Sequence, residues 1–307
     1  MLRRTFLLLL GLAAAHAPGP VLAAAGRVRL SFLIIGDWGR QGDRTQKRVA
    51  AAMDAVAART PVDFIVSTGD NIYPAGVKSP DDPLWRKTFE EVYDLPHLKA
   101  LPWYVSLGNH DYLGDVRAEI AYGGIHPRWH LPAAYYQHSF PAGGSLAQLF
   151  FLDTNAFIGS YRARPDRYHR IDATDPDEQL EWLRRRLRES GAVWKIVIGH
   201  HPVYSSGFHG DTEELMALLP PLFRQYGVQA YFCGHDHDLE YYRPEGGTAY
   251  IVSGGGSGHR WLWPRRGSRF SAATEGFVHV ALDRDSMTAR FYDDRGRELY
   301  RRAMRSE

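Results

Sequence analysis

Short runs of β-branched and aromatic residues alternate along this chain with helical patterns. Strands are predicted over residues 29–35, 64–67, 103–106, 149–153, 194–198 and 230–233, and helices over 44–58 and 178–188. A further helical stretch, 212–226, is expected to break at Pro220-Pro221, because proline lacks the backbone N–H and crowds the preceding turn. In the tail, 248–252, 277–282 and 288–292 read as strands closing a second sheet. Such alternation, with no internal repeat or low-complexity linker, predicts a layered α/β fold.

The first 25 residues depart from that pattern. Arg3 and Arg4 precede an apolar run over 5–15, and small residues lead to Ala23-Ala24-Ala25 before Gly26. A positive start, a short apolar core and an Ala-x-Ala site make a cleavable export signal. The adjacent arginines suit the twin-arginine form used in bacterial export. The apolar run is too short to span a bilayer, and no later segment supplies about 20 uninterrupted apolar residues. The expectation is therefore a periplasmic or extracellular protein without stable membrane insertion, whose residues 26–307 form a single catalytic domain.

Charge and cysteine content narrow the classes. The 37 Lys plus Arg face 35 Asp plus Glu, and removing Arg3 and Arg4 leaves 35 against 35. A balanced chain lacks the electrostatic footprint of a nucleic-acid binder. One local basic and aromatic patch, His259-Arg260-Trp261-Leu262-Trp263-Pro264-Arg265-Arg266, reads as a surface loop. With one cysteine, Cys233, no disulfide can form within the chain, so stability must come from the core.

Five segments end alike: an apolar run, a glycine, then a residue able to bind a metal. They finish in Gly36-Asp37, Gly69-Asp70, Gly108-Asn109-His110, Gly199-His200 and Gly234-His235, with Tyr73 three residues after Asp70 and His237 two after His235. Strand ends of an α/β sheet are where ligands converge. Gly-Asp and Gly-Asn also occur as ordinary turns, and a lone histidine is more often structural. Turn chemistry does not, however, select carboxylate, phenol, amide and imidazole at five separated strand ends. Those are donors that iron, zinc or manganese accept.

The segments Gly36-Asp37-Trp38-Gly39, Gly69-Asp70-Asn71-Ile72-Tyr73, Gly108-Asn109-His110-Asp111, Gly199-His200-His201-Pro202-Val203-Tyr204-Ser205 and Gly234-His235-Asp236-His237 resemble, in order, the five metal-binding blocks of purple acid phosphatases. The likeness runs from about Val28 to the C-terminus and favours the small tartrate-resistant members. The wider calcineurin-like phosphoesterase superfamily usually carries histidine where this chain has Gly39, and lacks a counterpart of Tyr73. The resemblance implies iron(III) held by Asp37, Asp70, Tyr73 and His237. It implies a divalent iron, zinc or manganese held by Asp70, Asn109, His200 and His235, with Asp70 bridging and a hydroxide on the metals as nucleophile. His110 and His209 match family histidines that face the substrate and are the expected catalytic acids. His201 is not the expected ligand of its pair. The Gly254-Gly255-Gly256 run reads as a tight turn beside the site, and His97, His126 and His279 as structural.

The expected fold is then a four-layer αββα sandwich, two mixed sheets flanked by helices. The expected activity is acid hydrolysis of phosphate monoesters by a monomer acting on small phosphoesters, phosphopeptides or nucleotides. A phosphodiesterase or nucleotide pyrophosphatase on the same scaffold is the alternative. A metal-binding or envelope-interaction protein without catalysis is a rival from another class.

Overall fold

The computed structural model describes residues 29–141, 144–245, 247–263 and 267–306. The export-signal reading of residues 1–25 and the end of the basic patch, 264–266, lie outside them. Fourteen strands are present among the described residues: β1 (Leu30–Ile35), β2 (Phe64–Ser67), β3 (Trp103–Val105), β4 (Trp129–His130), β5 (Tyr136–Phe140), β6 (Ala147–Phe151), β7 (Trp194–Ile198), β8 (Ala230–Cys233), β9 (Leu239–Tyr242), β10 (Ala249–Ser253), β11 (Phe270–Ala272), β12 (Gly276–Leu282), β13 (Ser286–Asp293) and β14 (Glu298–Arg305). They form two seven-stranded mixed sheets, ordered β14-β13-β12-β1-β2-β3-β4 and β11-β9-β10-β8-β7-β6-β5.

Side-chain alternation explains how the second sheet is covered on both faces. Leu149, Phe151, Ile196, Ile198, Phe232 and Ile251 join the large core shared with the first sheet. Their neighbours Phe150, Val197, Tyr231 and Val252 point the other way, into a second core with two helices. Phe64 of β2 stacks on Phe140 of β5, ring centres 4.2 Å apart, so the sheets meet directly. On the first sheet, the helix Arg44–Ala57 opens at Asp43, whose carboxylate caps the N–H of Gln46 at 2.8 Å. It buries Val49, Ala50, Met53 and Val56 in the shared core.

The helix Pro176–Glu189 starts with Pro176 in its first turn and Asp175 as N-cap, and buries Leu180, Leu183 and Leu187. Its partner, Glu213–Tyr226, corrects one expectation, since it runs unbroken through Pro220 and Pro221. Proline inside a helix costs roughly 3 kcal/mol. Burying each of Leu215, Leu219, Leu222 and Phe223 returns roughly 1.5–3 kcal/mol, so packing wins. A second correction concerns the tail. Residues 249–253 do join the second sheet, but β12 and β13 extend the first, β12 running antiparallel to β1 with Leu30 opposite Leu282. Periodicity marks a strand without naming its partner.

Candidate metal centre

The five glycine-ended strands lie side by side at the middle of both sheets. β1, β2 and β3 are adjacent and parallel in one, β7 and β8 in the other, so their C-terminal loops open at one place. The backbone there is bent hard. Asp37, Asp70 and His235, each just after a glycine, adopt left-handed φ of 58°, 52° and 68°. For such residues this conformation costs roughly 1–2 kcal/mol each and persists only where surroundings over-determine it. Here the Asp37 N–H donates to the Gly69 carbonyl at 3.0 Å, and the His235 N–H donates to Asp37 Oδ2 at 2.8 Å. The buried Trp38 indole pins the first loop by donating to Ser67 Oγ at 2.8 Å. At Gly108 a Cβ would lie 2.2 Å from Asp70 Oδ1 and 2.3 Å from the Asp70 backbone N, so any larger residue must displace this loop.

The predicted donors fall into two groups. In the first, Tyr73 Oη is 3.0 Å from Asp37 Oδ1, 2.8 Å from Asp70 Oδ2 and 3.2 Å from His237 Nε2. In the second, His200 Nε2 is 3.1 Å from Asn109 Oδ1, 3.2 Å from His235 Nδ1 and 3.5 Å from Asp70 Oδ1. Asp70 is the one member of both, with a different oxygen turned to each.

Electrostatics fit cations in both places. His200 Nδ1 lies 2.9 Å from the Thr68 carbonyl and donates to it, which leaves Nε2 as a lone pair facing the amide and carboxylate oxygens. Burial lowers His200 and, with neighbouring imidazoles, holds His235 well below the ordinary histidine value. Burial and the Arg260 guanidinium bring His237 down to about 3. Each is thereby biased toward the neutral form that coordinates a metal. Burial and the charge of Asp70 push Asp37 up; burial also opposes ionisation of Asp70, but His200 and His110 outweigh it and hold that carboxyl low. Burial and both carboxylates push the Tyr73 phenol well above its usual range, so only a bound cation would make it a phenolate.

Around this centre, His110 Nδ1 faces the Pro74 carbonyl at 2.6 Å and its ring lies 4.4 Å from that of Tyr73. The His209 ring stands 4.2 Å from that of His235, and Nε2 accepts from Arg260 Nη1 at 2.8 Å. All nine predicted site residues are therefore brought together. His201 lies close enough to His200 and His235 to share an ion with them. Its ring nitrogens already face hydroxyls, Thr154 Oγ1 at 2.9 Å and Tyr161 Oη at 3.3 Å, which suits a supporting residue better. The Gly254–Gly256 turn packs beneath the site, where Cβ atoms would meet Asp236 and Gly36 backbone. Elsewhere, His97 meets Asp54, His126 stacks on Tyr122 and His279 meets Ser31.

The family described as calcineurin-like phosphoesterase matches this chain over residues 30–239. Purple acid phosphatase 4 of Arabidopsis thaliana is 37% identical over 300 residues, covering 93% of this chain and 85% of that protein. Tartrate-resistant acid phosphatase type 5 of Homo sapiens is 36% identical over 305 residues, covering 92% and 93%. The chain belongs to the purple acid phosphatases, within the calcineurin-like phosphoesterases. It is a hydrolase of phosphate esters. Among solved structures, a Plasmodium protein described as GAP50, the anchor in the inner membrane complex, is similar with a TM-score of 0.79 at 26% identity, covering 91% of this chain and 89% of that one. Among the described residues, no helix is long and apolar enough to cross a membrane.

Two residues of this purple acid phosphatase escaped sequence reasoning. Arg260, read as part of a surface loop, donates its backbone N–H to the His237 carbonyl at 3.0 Å and its guanidinium to His209. Asp236, between two predicted ligands, turns its carboxylate away to accept from the N–H groups of His209 at 2.7 Å and Gly210 at 3.2 Å, and from Ser205 Oγ at 2.5 Å. The one available signal was Asp236 itself, an acidic residue flanked by two histidines.

Proposed function

We propose that the protein hydrolyses phosphate monoesters in acid through a binuclear centre: iron(III) at Asp37, Asp70, Tyr73 and His237, and divalent iron, zinc or manganese at Asp70, Asn109, His200 and His235. The observation that carries this reading is Asp70, whose two oxygens face two separate donor groups. A phenol among carboxylates suits a hard trivalent ion, and imidazoles with an amide suit a divalent one. When bound, such ions would supply Lewis acidity toward phosphoryl oxygens and a nucleophile that is available in acid.

The chain's own groups do the rest. Thr68 fixes the tautomer of His200. Arg260 and His209 form a polar wall suited to a phosphoryl oxygen, and Asp236 holds the loop that carries His209. The N–H of His110 donates to Asp70 at 2.8 Å, and its ring stands beside Tyr73, within reach of a leaving oxygen. We further propose that residues 1–25 direct export and that the mature chain acts as a monomer. The acid phosphatase names of the relatives support a monoester substrate. The same fold also serves a protein described as an anchor, so turnover is to be measured rather than read from shape.

The decisive experiment is the visible spectrum and metal content of the purified active protein, with turnover of p-nitrophenyl phosphate against bis-p-nitrophenyl phosphate. Phenolate on iron(III) should give a visible absorption band that Tyr73→Phe removes, with the monoester preferred. An active, colourless protein holding only zinc would refute the iron assignment, and preference for the diester would refute the monoesterase reading.

A further inference from the structure

Five large apolar side chains stand exposed among the described residues, and three of them form one feature. Phe208, 48% exposed, immediately precedes His209 in its loop, their rings 5.2 Å apart and nearly perpendicular. Trp261, half exposed, stands edge-on to Phe208 at 5.3 Å, and Trp263, 65% exposed, lies 3.8 Å beyond it. At the inner end, the His209 ring is 4.2 Å from that of His235. A row of rings thus leads from a proposed metal ligand out to solvent. The guanidinium of Arg260 sits at the junction, 5.2 Å over the Phe208 ring while donating to His209.

The row is fastened by backbone. The Trp263 N–H donates to the Ser206 carbonyl at 2.7 Å, and the Arg260 N–H to the His237 carbonyl at 3.0 Å, tying this loop to the loop of His209 and to the metal loop. Holding three large rings half in water forgoes the gain of burying them, and a flat partner recovers that gain by stacking. The centre fixes where such a partner begins: with its phosphoryl group against Arg260 and His209, the alcohol half projects along the rings.

We propose that Phe208, Trp261 and Trp263 form the leaving-group subsite, and that the preferred substrates are phosphate esters carrying a flat aromatic or heteroaromatic group. The inference rests on the phosphoesterase reading of the centre and adds to it the chemical class of the alcohol. Continuity with the centre, through His209 and Arg260, is what assigns the rings to substrate rather than to a second protein or a bilayer. An aliphatic alcohol offers no π face and gains little there.

The test compares wild type with Phe208→Ala, Trp261→Ala and Trp263→Ala on phenyl phosphate, a nucleoside 5′-monophosphate and glycerol 3-phosphate, reading released phosphate. Phe208→Ala and Trp261→Ala should lower kcat/KM about tenfold on at least one ring-bearing substrate while glycerol 3-phosphate stays within about twofold. Loss confined to phenyl phosphate would place the ring directly on the ester oxygen, and loss confined to the nucleotide would place it a sugar away. Equal losses on all three substrates, or none, overturn the subsite. A metal-loaded wild type that releases phosphate from none overturns the reading beneath it. The rings are then tested alone, by quenching of tryptophan fluorescence with phenylphosphonate against methylphosphonate. Quenching by the former that Trp261→Ala removes supports them, and equal quenching by both counts against. Binding to phosphatidylcholine vesicles that Trp261→Ala abolishes, with substrate ratios unchanged, would assign the rings to a lipid surface and overturn the proposal.

Discussion

Nη1 of Arg260 stands 2.8 Å from Nε2 of His209. A guanidinium only donates, so the imidazole accepts there and carries no proton on that nitrogen. Burial, seconded by Arg260 against the pull of Asp236, holds His209 below the ordinary histidine range. His110 Nδ1 donates to the Pro74 carbonyl, and its Nε2 faces the centre 4.0 Å from Asp70 Oδ2, where the imidazolium form presents a proton.

The two histidines should therefore separate kinetically. His110→Ala is expected to lose roughly 10²–10⁴-fold in kcat, the usual range for general acid catalysis, and more on an alkyl phosphate than on p-nitrophenyl phosphate, whose leaving group needs little protonation. His209→Ala and Arg260→Ala should instead raise KM by similar factors on both substrates. Steady-state kinetics decides this, and a His209→Ala deficit that disappears on p-nitrophenyl phosphate would give His209 the acid role.

Sharing one carboxylate between two donor groups predicts unequal consequences for metal content. Asp70→Ala should lose both ions, whereas Asn109→Ala or His200→Ala should mainly empty the divalent position. Metal analysis of the purified variants checks it; two ions per chain in Asp70→Ala would refute bridging.

Gly108→Ala tests the close approach of backbone to that carboxylate. The added Cβ, 2.2 Å from Asp70 Oδ1, must push the loop or the carboxylate aside, an overpacking that costs about 1–3 kcal/mol. The variant should fold, by far-ultraviolet circular dichroism, with a lower Tm and reduced metal content. Unchanged metal content would mean that the loop relaxes freely.

His279 predicts a pH dependence away from the centre. It is fully buried on β12, with Nε2 2.8 Å from Ser31 Oγ, and burial with Arg290 lowers it to about 4 from the usual 6.5. The unfolded chain therefore takes up this proton first. The contribution is fully present above pH 6.5 and is lost as pH falls through about 4, amounting to about 3 kcal/mol. Denaturant unfolding across that range should show the slope in wild type and a shallower one in His279→Gln. Equal slopes would exclude His279 as the cause.

What could be read from sequence was what is local. An apolar run, a glycine and a candidate donor sit within a few residues of each other, so all five donor loops were visible, as were the five strands feeding them. Arg260 was not, because its role depends on a loop folding back onto residues 205–210, which no pattern within that loop encodes. The partner of β12 is set by pairing with β1 across most of the chain. β14 buries only Met304 and repeats arginine where an alternating strand would repeat apolar residues, as suits a sheet edge. At Pro220-Pro221 local propensity pointed one way and a buried face the other, and the face prevailed.

The hydrogen bond from the His235 N–H to Asp37 joins residues 198 apart in sequence. As the chain is synthesised, Asp37, Asp70, Tyr73 and Asn109 emerge well before the three imidazoles, and β12, which flanks β1, emerges later still. Contacts of such separation form slowly. The early donors alone are oxygens, a set that any abundant hard cation satisfies. The nitrogen donors that a softer cation prefers join the site only after both sheets have docked, so on the proposed reading the metal supply of whichever compartment hosts that last step decides which ions are bound.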